Sequence, residues 1–123
     1  MALSKHFCSL FLLTFLASVQ AVETTAPLAE LEVGEYVTLT KRPNPKRLVL
    51  QYVPSLAAIL ARAETLKGAP LTQAEVEKIR DHASVMVGDA KAAQAVEEKR
   101  GYKDVRPESA WKDWKVLRTQ LSR

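Results

Sequence analysis

The chain has one cysteine, four glycines and two histidines in 123 residues. Cys8 falls within the first apolar stretch, so everything after it lacks a thiol. That excludes thiol catalysis, thiolate zinc sites, iron–sulfur ligation and a disulfide from the rest of the chain. Gly34, Gly68, Gly88 and Gly101 stand singly at segment ends, which leaves no phosphate-cradling or dinucleotide-binding loop. His82 is the one histidine beyond residue 6. A serine triad built on it has no second candidate base, and no serine sits in a nucleophile elbow.

A long hydrophobic run is also missing. Phe7 to Leu16 is interrupted by Cys8, Ser9 and Thr14, and the chain turns polar at Ser18 and Gln20. About 20 apolar residues are needed to cross the hydrocarbon core, so this stretch is too short to anchor the chain in a membrane. With Lys5 ahead of it and Val19 and Ala21 at the −3 and −1 positions, residues 1–21 read as a cleavable secretory signal. Cys8 lies inside the apolar stretch, not after it, so it is misplaced for lipidation. The expected product is periplasmic or secreted and bacterial, with residues 22–35 as a flexible leader and 36–123 as one small globular domain.

Charge is modestly basic, 18 Lys plus Arg against 14 Asp plus Glu, which is too even to identify a partner by itself. Its distribution says more. Glu23, Glu30, Glu32 and Glu35 are followed by a block of four cations, Lys41, Arg42, Lys46 and Arg47.

Tyr36 to Thr40 and Leu48 to Val53 have strand composition, and the Pro- and Asn-containing segment between them reads as a loop. A β-hairpin is favoured there over a short helix capped at Asn44-Pro45. From Ser55 the period changes. Leu56, Ile59, Leu60, Ala63 and Leu66 form a helical stripe that Gly68 and Pro70 end. Thr72-Gln73-Ala74-Glu75 is a capping box, flanked by Leu71 and Val76 at staple positions. The buried face then continues through Ile79 and Ala83 toward Val85, Met86 and Val87, read as one helix ending at Gly88. Asp89 caps an alanine-rich helix that stops at Gly101, and Pro107-Glu108 opens a last helix with Trp111, Trp114, Leu117 and Leu121 facing inward. The expected fold is mostly α, a small bundle of about four short helices with an N-terminal β-hairpin laid across them.

Five ordered segments carry a likeness. They are Tyr52-Val53-Pro54-Ser55-Leu56, Ala63-Glu64-x-x-Lys67-Gly68-x-Pro70-Leu71-Thr72, Glu75-Val76-x-x-Ile79-Arg80-Asp81, Arg100-Gly101-Tyr102-x-Asp104-Val105, and Pro107-Glu108 followed by Trp111-x-x-Trp114. Together they resemble a family of small uncharacterised bacterial proteins with no established activity. Arg106 stands where that family carries an acid. The likeness implies a shared fold and no particular function.

Asp81 and His82 are adjacent, and neighbouring helical residues point about 100° apart, so Asp81 does not orient the imidazole. Glu75 with Asp81, or Asp104 with Glu108, are available as carboxylate pairs, but a domain this small seldom holds the deep cleft that glycoside hydrolysis needs. Glu97 and Glu98 beside Lys91, Lys99 and Arg100 read as a solvated helix face. No catalytic residue, cofactor or metal site is expected. The expectation is an exported, non-enzymatic protein-interaction module, an immunity or inhibitor protein of the bacterial envelope, with Lys41, Arg42, Lys46 and Arg47 as its partner-binding residues. The alternative is a peripheral envelope protein holding anionic lipid or glycan through the same basic loop. A membrane surface is admissible, a spanning segment is not. Nucleic acid is excluded by the compartment and by the lack of interleaved aromatics.

Overall fold

Side-chain caps place three of the helix starts. The computed structural model describes residues 26–121. The chain runs β1 (Val33–Glu35), α1 (Tyr36–Leu39), β2 (Val49–Tyr52), α2 (Leu56–Lys67), α3 (Gln73–His82), β3 (Ser84–Gly88) and α4 (Ala90–Arg100), then a 3-10 turn (Pro107–Ser109) and α5 (Ala110–Leu121). Ser55, Thr72 and Asp89 each accept a hydrogen bond from the amide three residues on, at the starts of α2, α3 and α4. At Thr72 the capping box is complete, since Glu75 accepts from the Thr72 amide in return. The expected signal, residues 1–21, lies outside the described residues.

The four long helices are thus present, and 54% of the described residues are helical. The remainder departs from a helical bundle with a hairpin. Strands β1, β3 and β2 form an antiparallel sheet in that order, with β3 in the middle. Residues 84–88 were expected to continue α3, but Ala83 is extended at φ −69° and ψ 146°, and the chain becomes a strand. The cause is a period of two hidden in a short apolar run. Val85 and Val87 are fully buried on one face of β3, while Ser84 and Met86 point to the other.

The expected hairpin is corrected in its first half. Tyr36 to Leu39 is a single helical turn, and β2 pairs with β3 in place of it. Packing overrides strand composition here. Leu39 is buried over Gly34, where an added Cβ would come within 3.3 Å of it. The Tyr36 ring lies 5.6 Å from that of Tyr52, a contact the turn provides. The leader boundary moves as well. Leu28 is a core residue, its amide donates to Pro43 O, and Leu31 N donates to Val87 O, so folded structure starts well before Tyr36.

Leu56, Leu60, Val76, Val85, Val87 and Trp114 are the fully buried centre, so α2, α3 and α5 share one core with the inner sheet face. Leu66, expected on that stripe, is 72% exposed, because the buried face of α2 is centred on Leu56, Ala57 and Leu60 and the helical turn carries position 66 away from it. On the opposite face, Gln51 donates to Ala93 O and holds α4 along β2. Among the described residues no helix is long and apolar enough to cross a membrane.

One buried polar junction joins these layers. Asp104 accepts three backbone N–H bonds, from Leu56, Ala57 and Val105, each at 2.8 Å. Arg100 donates to Tyr52 O at 2.8 Å and lies 3.9 Å from Asp104, while Ser55 Oγ and Tyr102 OH are 2.7 Å apart. Arg100, expected on a solvated face, is therefore an internal tie. Asp104→Ala orphans two amides at the start of α2 and leaves Arg100 without its counter-charge. We expect it to cost about 3 kcal/mol, read as a lower urea midpoint at unchanged slope.

Tyr52 is 2% exposed and donates to Arg80 O. Burial, together with Tyr36, pushes its hydroxyl above the ordinary tyrosine value. Stability from keeping it neutral is therefore full below about pH 10 and is lost as pH rises toward the native value. Tyr52→Phe should be about 1 kcal/mol less stable at pH 7, with the gap to the wild type closing between about pH 9.5 and 11 in urea titrations.

Candidate functional site

The basic block occupies the loop of residues 40–48, which the fold holds in one conformation. Thr40 N and Arg42 N donate back into the α1 turn, to Tyr36 O and Leu39 O. Asn44 then closes the far end in both directions: its Nδ2 donates to Leu48 O at 2.7 Å, and its Oδ1 accepts from Leu48 N at 2.8 Å. Arg47 sits between them at φ 53°, in the left-handed region, and Leu48 enters the core.

The four cations do not share one role. Arg42 turns inward, its side chain 13% exposed. Nε donates to Ala26 O and Nη2 to Pro27 O, both at 3.0 Å, while Nη1 lies 3.1 Å from both Glu32 oxygens. The Ala29 amide, with Arg42, holds the Glu32 carboxyl below its usual range. Arg42 is thus removed from the expected partner-binding set, since its donors are consumed in fixing residues 26–32 against the loop. Lys41, Lys46 and Arg47 are exposed, and none forms an ion pair with another described residue. The loop therefore presents three cations on a frame built by the fourth.

A feature missed in the sequence lies beside this frame. Leu31 and Val33 are 78% and 62% exposed, and Val33 pairs in register with half-exposed Met86 on the sheet face opposite the core. Arg42, through Glu32, ties this strip to the basic loop. Its sequence signal is the alternation Leu31-x-Val33, which lies within the expected leader.

The other candidates resolve into structural roles. His82 Nδ1 lies 3.3 Å from Glu35 Oε2, with both side chains more than half exposed, and Asp81 is held by Arg80 at 2.9 Å. Glu75 binds Lys67 and the Thr72 amide, and these two bonds, Lys67 first, hold its carboxyl down to about 2. Glu64, outside the expected site residues, accepts from Leu71 N at 3.0 Å and Trp114 Nε1 at 3.2 Å and pairs with Arg118 at 2.8 Å. Trp114 is core at 1% exposure, whereas Trp111 is half-buried with Lys115 and Arg118 over its ring. Among the described residues no three His, Cys, Asp or Glu side chains gather to hold a metal ion.

Compared with protein-family models, with curated proteins and with solved structures, the chain matches none of them.

Removing the Arg42 guanidinium should separate scaffold from surface. Arg42→Ala is expected to cost about 1 kcal/mol, because it removes the hydrogen bonds that hold residues 26–32 against the loop while water takes up the exposed acceptors. Lys41→Ala, Lys46→Ala and Arg47→Ala should each stay within about 0.5 kcal/mol. Urea denaturation of the four variants at neutral pH checks both halves.

Proposed function

We propose that the chain is an exported, non-enzymatic interaction module that docks on an acidic protein surface through Lys41, Lys46 and Arg47. The observation that carries this reading is the preorganisation of the loop. Cations on a flexible tip lose conformational freedom on binding, whereas Asn44 and Arg42 have already fixed this backbone. Three exposed cations steer an acidic partner, and the adjoining Leu31 and Val33 supply apolar area that charge alone lacks. A small inhibitor or immunity protein of the bacterial envelope meets this description, and a periplasmic or secreted location goes with it.

The test is capture from the envelope fraction of the native host, using the tagged chain and its Lys41→Ala/Lys46→Ala/Arg47→Ala variant. Arg42 is left intact so that the fold is preserved. The expected result is one acidic protein retained near stoichiometry by the wild type and lost, at least about tenfold, by the variant. Retention by both chains, or capture by neither, overturns the proposal. Flotation of the wild type with anionic vesicles and no protein partner replaces it with the lipid-binding alternative.

A further inference from the structure

The face formed by residues 102–106 and α5 carries a second feature, distinct from the basic loop. A shallow groove of about 230 Å³ runs between them. Val105 and Leu117 make its floor, continued by Val116, which stays 58% exposed. Lys103 and Lys112 stand on its rim, both exposed, and neither is ion-paired with another described residue. Lys112, Val116 and Gln120 recur every four residues along α5, so the cation, the apolar surface and an amide follow one another along one wall.

The groove contains one acid, and its charge is already used. Asp113 accepts from the Arg106 amide at 3.1 Å, from Arg106 Nε at 3.0 Å and from Arg106 Nη2 at 3.2 Å. This bidentate pair also staples the 102–106 segment to α5, which fixes the spacing of the two walls. What remains unbalanced is a pair of ammonium groups above an apolar floor. Such a site rejects cations and gives little to a neutral polar ligand. The volume is below the roughly 300 Å³ at which drug-sized ligands are enclosed, so the occupant is small.

We infer that this groove binds a small amphiphilic anion, an alkyl carboxylate whose tail lies along Val105, Val116 and Leu117 and whose head group is held by Lys103 and Lys112. Charge complementarity selects the head group and the exposed valine selects the tail. The site is independent of the proposed protein-docking loop and shares no residue with it.

Octanoate is the probe, titrated into the full chain and followed by amide ¹⁵N–¹H spectra. Saturable shifts confined to residues 103–106 and 112–120 are expected. Acetate, with the charge but no tail, and octyltrimethylammonium, with a tail but the opposite charge, should both leave those amides in place. Lys103→Gln/Lys112→Gln should weaken octanoate at least about tenfold, the scale of one lost charge-assisted contact, while circular dichroism stays unchanged. Val116→Asp should remove binding and serves as the second variant. Absence of shifts with octanoate overturns the inference. So do equal shifts with either control compound, or full affinity in the lysine double variant.

Discussion

Everything in the layered arrangement depends on how the start of α2 is held. Four amides at a helix N-terminus have no partner within the helix, and here the second strand, a cis Val53–Pro54 step and a buried serine all converge on that point. Asp104 meets two of those amides with a full negative charge, the sign that the helix dipole favours. Because Asp104 follows α4 by four residues, the same contact fixes where α4 ends. Gly101 makes that geometry accessible: at φ 77° it turns the chain back so that Tyr102 reaches Ser55 and Asp104 reaches Leu56. Contacts separated by 47 and 48 residues are thereby concentrated in one junction.

A second carboxylate does the corresponding work at the far end of α2. Glu64 collects the Leu71 amide, the Trp114 indole and Arg118, and so ties α2 to the turn before α3 and to α5. Between the two junctions, Arg80 donates to Pro107 O and receives the Tyr52 hydroxyl on its carbonyl. Ser55, Glu64, Arg80, Arg100, Tyr102, Asp104 and Trp114 are the members of these ties. That pattern describes a scaffold. The surfaces proposed to bind lie outside these ties, at Lys103 and Lys112 and at Lys41, Lys46 and Arg47.

Helices were legible in the sequence because their punctuation is local. Thr72 with Glu75, Asp89, Gly68, Gly101 and Pro107 each act within one turn of their own position, and each does so in the structure. The sheet was not legible, because its evidence is non-local and short. Five residues of β3 follow α3 after a single extended alanine, too few to separate a period of two from a buried helical end. β1 has three residues, and its role becomes visible only against Val85 and Met86, some 50 positions away. Tyr36 to Leu39 has the composition of a strand and is a turn because Gly34 leaves room for Leu39 beneath the sheet.

The candidate site was legible in outline for a related reason: counting charges shows how many cations there are, and only packing shows which are spent. Here the division follows the chemistry of the side chains. Arg42, Arg80, Arg100, Arg106 and Arg118 each bind a backbone carbonyl or a carboxylate through the fork of the guanidinium, and all five tie separate segments together. A planar, weakly hydrated group with several fixed donors suits that work better than a strongly hydrated ammonium, and Lys67, which links α2 to Pro70 O and Glu75, is the lysine that shares it. Lys41, Lys46, Lys103 and Lys112 remain at the surface, and both proposed sites are built mainly on them. In a chain with neither disulfide nor metal ligation among its described residues, the arginines serve as its cross-links, and the charge left for partners is largely that of lysine.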